Sequence, residues 1–167
     1  RLKSVDPRSR TVGVSVKDRA AVTMAGHKAD ATLWWDGSAF VTYDGASVPF
    51  PNTLKARNTA ISAAIAQPKT YAVPPQCQRK VQEQALTYKD KEGKTQTLTL
   101  GKVEPRKAKD EPRWRVSPES DAATVDVAIA AYQQMKLGSR GATDVLAISL
   151  SGLDLVGHAR GTGGVEI

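Results

Sequence analysis

Apolar and polar positions along the chain follow two periods. From 11 to 17, TVGVSVK alternates at period two. Val12, Val14 and Val16 share one side of a predicted strand, and Gly13, Ser15 and Lys17 share the other, joined by Arg19 if the strand persists. RAAVTMAG reads as a short helical turn stopped by Gly26. ATLWWD and AFVTYD are β-rich runs separated by Gly37-Ser38, the pattern of a hairpin, and alternation sends one ring of Trp34–Trp35 to the core. Helical spacing takes over in TLKARNTAISAAIAQ, at Leu54, Ala60, Ile61, Ala64 and Ile65, with Asn52 or Thr53 as the cap.

The second half repeats the contrast. YAVPPQCQ reads as an extended connection, because consecutive prolines disfavour helix. QALTYKDKEGKTQTLTLGKV has the form of two strands about a Glu-Gly turn, with Leu86 and Tyr88 answering Leu98 and Leu100. EPRKAKDEPR is charged, flanked by proline and expected to be exposed. SPESDAATVDVAIAAYQQMKLG is the strongest helix: Ser117 caps it, Pro118 opens it, Val125, Ile129 and Tyr132 share a face, and Gly138 stops it. TDVLAISL is continuously apolar, as expected of a strand covered on both faces. A helix feeding such a strand, with polar groups just beyond it, predicts an open α/β sheet whose ligands bind outside the carboxyl ends of the strands. The predicted fold is one α/β unit over 1–167, a mainly parallel sheet with helices, carrying a small antiparallel hairpin subdomain at 78–115.

Charge changes the picture in one place. The net charge is +7, and residues 78–115 hold 11 basic against 6 acidic side chains, so +5 is concentrated in the hairpin region. A basic stripe of this kind can grip a polyanion. Lys and Glu interleave there with only Tyr88 and Trp114 as aromatics, which suits a solvated hairpin and does not call for a nucleic-acid partner. A single cysteine, Cys77, excludes an internal disulfide, and no apolar run approaches the roughly 18 residues of a membrane span. The chain opens at Arg1 and stops at Gly-Gly-Val-Glu-Ile, which we read as the edges of an internal fragment.

Two groupings carry chemistry. Asp154 and His158 stand four apart just past the apolar strand. A carboxylate and an imidazole on one face of a helical turn are typical zinc ligands, and the same spacing also suits an Asp–His hydrogen bond or a helix cap. Lys17 and Arg19, projecting together from a strand, would repel one another unless an anion lay between them. A phosphate dianion fits the guanidinium fork and the ammonium; solvated strand ends or ion pairs with neighbours such as Asp18 are the alternative. His27, after Gly26, reads as a cap or packing residue, and Cys77 has no setting that would activate a thiol.

Together, VGVSVKDRAAVTMAGHKADATLWWD, SPESDAATVDVAIAAYQQMKLG and TDVLAISLSGLDLVGHARG resemble the alkaline phosphatase superfamily, in its type I phosphodiesterase/nucleotide pyrophosphatase-like branch. The nearest likeness is to monomeric phosphomonoesterases with a Lys-x-Arg pair. The resemblance touches about half the chain, and the 78–115 hairpin lies outside it. It implies a phosphatase with two zinc ions, acting on small phosphate esters through a phosphorylated Thr or Ser, periplasmic or secreted in the parent protein. Asp154 and His158 match two metal ligands, and Lys17 and Arg19 match the pair on the phosphoryl oxygens. The nucleophile, its neighbouring aspartate, the Asp-His pair of the second zinc and a last histidine have no counterpart here, so no catalytic nucleophile is assigned. They are expected on the remaining parts of the parent chain. The alternatives are a phosphodiesterase or nucleotide pyrophosphatase of the same superfamily, and a non-catalytic polyanion-binding module using the hairpin.

Overall fold

The alternating run near the N-terminus forms the middle of a four-stranded sheet. In a computed structural model, residues 2–80, 83–161 and 165 are described. The elements are α1 (Leu2–Val5), β1 (Thr11–Ser15), α2 (Asp18–Ala25), β2 (Ala31–Trp35), β3 (Phe40–Val41), α3 (Pro51–Ala66), a 3-10 turn at Pro75–Lys80, β4 (Gln84–Lys89), β5 (Thr95–Leu100), α4 (Glu111–Arg115), α5 (Pro118–Gln134), β6 (Val145–Ser149) and α6 (Gly152–Arg160). The sheet order is β3-β2-β1-β6, with β2 and β6 parallel to β1 and β3 antiparallel to β2. β4 and β5 make a separate antiparallel pair. This is the expected α/β architecture with its small hairpin.

The two sides of β1 are used differently, as the alternation predicts. Val12, Val14 and Val16 are fully buried in the main core with Leu33, Trp35, Phe40, Trp114, Val127, Ala128 and Ala131. Gly13 faces α2 at such close range that an added Cβ would lie 2.5 Å from the Ala21 carbonyl oxygen and 2.7 Å from the Ala25 Cβ. Trp35 is buried against Phe40 and Trp114, at ring centroid distances of 5.6 and 4.7 Å, while Trp34 stays partly exposed against Tyr43. The Trp35 indole Nε1–H donates to Glu111 Oε1 at 2.6 Å, so the buried ring keeps its polar atom paired.

Several expectations are corrected. β1 ends at Ser15; Lys17 is the extended residue that caps α2, and Arg19 is already helical, so the pair does not share a strand face. α3 is capped by Phe50 with Pro51 at its first position, in place of Asn52 or Thr53. Leu54, Ile61 and Ile65 are buried, but Ala60 and Ala64 face solvent. In the hairpin Leu86 does face Leu98, whereas Tyr88 faces Gln96 and Leu100 faces Gln84. The connection after Pro74 is wound into a 3-10 turn.

α5 begins as read, with Ser117 Oγ accepting from the Glu119 amide, but buries the opposite face. Ile129 and Tyr132 are 44% and 53% exposed, while Ser120, Thr124, Val127, Ala128 and Ala131 are inside. Small residues let the helix approach the sheet closely. The Thr124 hydroxyl donates to the Ser120 carbonyl at 2.8 Å and the Ser120 hydroxyl to the Ser117 carbonyl at 3.0 Å, which makes burial of these polar residues tolerable. β6 is an edge strand, not a strand covered on both faces: Val145 and Ile148 are 40% and 39% exposed. Leu146 packs against the main core, while Val145 and Ile148 stay open among the described residues.

The charged segment before α4 is mostly exposed, as expected, with one exception. Arg106 is 1% exposed. Its guanidinium donates to both Glu119 oxygens at 3.0 and 3.2 Å and to the carbonyls of Ile65, Ala64 and Lys107. It thereby satisfies carbonyls that the end of α3 leaves open. The Tyr71 hydroxyl donates to Glu119 Oε2 at 2.6 Å, closing the cluster.

Candidate functional site

Strand order reverses between β1 and β6. The chain leaves β1 through α2 towards β2, and returns through α5 to β6 on the other flank. At such a switch point the loops beyond the two carboxyl ends diverge and leave a crevice. Lys17 follows β1, and Asp154 and His158 follow β6, so topology carries all three to one end of two neighbouring strands.

Their side chains meet. The Lys17 ammonium forms an ion pair and hydrogen bond with Asp154 Oδ2. His158 Nε2 lies 3.6 Å from Asp154 Oδ1, on the same face of α6 one turn on. Asp154 is half exposed and His158 is open to solvent, so both offer their donor atoms outward. The hydrogen bond from Lys17 holds the Asp154 carboxyl below the usual carboxylate range against a small burial effect, with the Lys17 charge and His158 adding to it. Arg19 sits in the first turn of α2 at the same end of the sheet. Its amide donates to Asp18 Oδ1 at 2.7 Å and its carbonyl accepts from the Thr23 hydroxyl at 2.8 Å. The structure thus joins Lys17, Asp154 and His158, and does not bring Arg19 into their contact.

A carboxylate oxygen and an imidazole nitrogen at this spacing fit two positions of a zinc site. No group of three or more His, Cys, Asp or Glu suited to a metal occurs among the described residues. His27 lies exposed in the turn between α2 and β2, and Cys77 is free and partly buried in the 3-10 turn; neither approaches the pair's role.

Beneath these groups lie polar residues that sequence reasoning passed over. Ser15 and Ser149 are register partners at the ends of β1 and β6. The Ser15 hydroxyl is 3.4 Å from that of Ser151, and the Ser149 hydroxyl is 3.5 Å from it. Ser15 Oγ also accepts from the Lys17 amide at 3.0 Å. From α5, Asp121 Oδ1 accepts from the Gly152 amide at 2.9 Å. The alternation of β1 sets Ser15 on the side away from the core valines, so periodicity gave no signal for its burial. Nothing local to Asp121 points across to another helix.

No family model matches the chain. It is 36% identical over 167 residues to alkaline phosphatase PhoD of Zymomonas mobilis, covering 100% of this chain and 28% of that protein. It is 38% identical over 169 residues to alkaline phosphatase PhoK of a Sphingomonas species, covering 99% of this chain and 28% of the relative. The crystal structure of alkaline phosphatase PafA superposes with a TM-score of 0.76 at 26% identity, over 99% of this chain and 33% of that one. The chain therefore spans under a third of the length of the proteins it matches. The likeness extends from end to end, hairpin included, and rests on both sequence and fold: the chain belongs to the alkaline phosphatase superfamily.

Proposed function

We propose that the chain is part of a zinc-dependent phosphatase that hydrolyses small phosphate monoesters, and that it contributes half of one metal site together with a cationic grip for the phosphoryl group. The observation that carries this reading is the convergence of Lys17, Asp154 and His158 beyond the carboxyl ends of adjacent parallel strands. The names of the relatives support the substrate class. Asp154 and His158 would hold zinc, which when bound supplies Lewis-acid polarisation of the ester and activation of a nucleophile. The nucleophile and the other ligands would come from the parent chain, as would a neighbour for the free edge of β6.

Lys17 has a double role in this reading. Without metal it neutralises Asp154. With the carboxylate engaged elsewhere, its ammonium is free to turn to a non-bridging phosphoryl oxygen, where charge develops in the transition state. Arg19 would join it from the first turn of α2 once an anion compensates their mutual repulsion, offering two parallel N–H groups. A dianionic monoester suits two cations better than a diester, which has one charge fewer. A periplasmic or secreted location belongs to the same proposal.

The purified 167-residue chain is expected to show negligible turnover of p-nitrophenyl phosphate with or without added zinc, and sustained turnover would overturn the reading. In a parent-length protein, Lys17→Ala should lower kcat/KM about 10²–10³-fold, the usual cost of a lost transition-state donor. Faster hydrolysis of a diester than of a monoester by that protein would reverse the substrate assignment.

A further inference from the structure

α6 carries both proposed ligands, yet its start has no local cap. Ser151 occupies the cap position in a helical conformation, and its side chain makes no capping bond to the helix. A helix whose first amides are unpaired is held loosely, and the direction of its side chains with it. Two contacts from outside α6 take over the task. Asp121, from the first turn of α5, receives the Gly152 amide at 2.9 Å. Gly152 is buried, and a Cβ there would lie 2.7 Å from Asp121 Oδ2, so the carboxylate is seated directly on the backbone with no room for a side chain between them. Independently, Ser151 is 3% exposed and its hydroxyl lies against Ser15, which is fully buried. Ser15 Oγ in turn receives the Lys17 amide. One end of this polar chain is the first turn of the ligand-bearing helix, and the other is the backbone of the residue that pairs with Asp154.

We propose that Asp121 and Ser151 are positioning residues: the Asp121–Gly152 contact and the Ser151–Ser15–Lys17 chain together set α6 against the end of β1, and so fix Asp154 and His158 relative to Lys17. The inference rests on the metal reading of Asp154 and His158 for its functional meaning, and on geometry alone for the placement of α6. A carboxylate at 121 is not required for its charge. An amide oxygen at the same place accepts from Gly152 equally, so Asp121→Asn preserves the contact whereas Asp121→Leu removes it. Ser151→Ala cuts the chain on the other side without adding bulk. Outer-layer partners of metal ligands are worth roughly 10–100-fold in metal affinity, which sets the size of the expected effect.

The test uses the 167-residue chain, isotopically labelled, as wild type and as Asp121→Asn, Asp121→Leu and Ser151→Ala. Amide residual dipolar couplings report the orientation of α6 relative to the sheet, and zinc sulfate is titrated against the imidazole resonances of His158. Asp121→Asn should match wild type in both. Asp121→Leu and Ser151→Ala should reorient α6 while α2 and α5 keep their couplings, and should weaken zinc binding at His158 about 10–100-fold. Unchanged α6 couplings in both variants would overturn the proposal, even if their melting temperatures fall. Should Asp121→Leu fail to fold, Ser151→Ala decides alone. A wild-type chain in which zinc leaves His158 unperturbed would count against the metal reading, and the couplings would still decide the placement of α6.

Discussion

Arg106 shows how one side chain can overrule the character of its segment. It stands in EPRKAKDEPR, which by composition belongs in solvent, yet it is buried with every guanidinium nitrogen engaged. Arg106→Ala would strip the Glu119 carboxylate of its charged partner, leaving it the Tyr71 hydroxyl, and would remove one of two donors to the Ala64 and Ile65 carbonyls, at an expected cost of about 3–5 kcal/mol. Urea unfolding followed by circular dichroism measures this, and a loss below about 1 kcal/mol would contradict the account. Glu119 adds a pH dependence. Burial raises its carboxyl, but the hydrogen bonds from Arg106 and Tyr71, with the nearby Arg106 and Lys69 charges, outweigh burial and leave it below its ordinary value of 4.5. A depressed folded-state value contributes stability that is full above 4.5 and is lost as pH falls through the folded value. The melting temperature of wild type should therefore drop more steeply below pH 4.5 than that of Glu119→Gln.

Elements are held to one another by close approach as much as by large side chains. α2 lies against β1 because position 13 has no side chain, and Gly13→Ala would push a methyl into the Ala21 carbonyl. We expect a loss of about 1–3 kcal/mol, typical of overpacking, with the sheet or α2 displaced. A neutral effect in thermal unfolding would mean that α2 moves freely. α5 uses the same device on the other side, burying alanines and hydroxyls and turning Ile129 and Tyr132 outward. β6 is the opposite case, an apolar strand with one flank open. Ile148→Lys should cost the 167-residue chain less than about 1 kcal/mol, since the residue is 39% exposed. In a parent-length protein, where we propose that β6 gains a neighbour, the same change should prevent native folding. Equal tolerance in both proteins would remove the case for that neighbour.

At the scale of the whole molecule, the proposed site belongs to no single element. Lys17 and Asp154 are 137 residues apart in the chain and meet because β1 and β6 are adjacent, parallel and in register from Thr11–Val145 to Ser15–Ser149. The reversal of strand order between them opens their far ends. The hairpin β4–β5 stands apart from this sheet and is tied to α6 through Arg160, which donates to the Thr99 carbonyl at 3.1 Å. β4 is exposed along its whole length, β5 only in part.

Local periodicity by itself determined several elements of this protein: the period-two valines of β1, the Ser-Pro start of α5, the Gly-Ser break before β3 and the strand pair β4–β5. It also placed Asp154 and His158 on one helical face, since that depends only on four-residue spacing. Tertiary structure decided the rest. Which face of α5 is buried depends on how near the sheet can come, and period alone is blind to distance. Arg106 could be assigned to the interior only by knowing that α3, Glu119 and Tyr71 converge on it. The polar chain from Asp121 and Ser151 to Lys17 joins three separate elements, and contacts of that kind come into being only when the sheet has chosen its strand order.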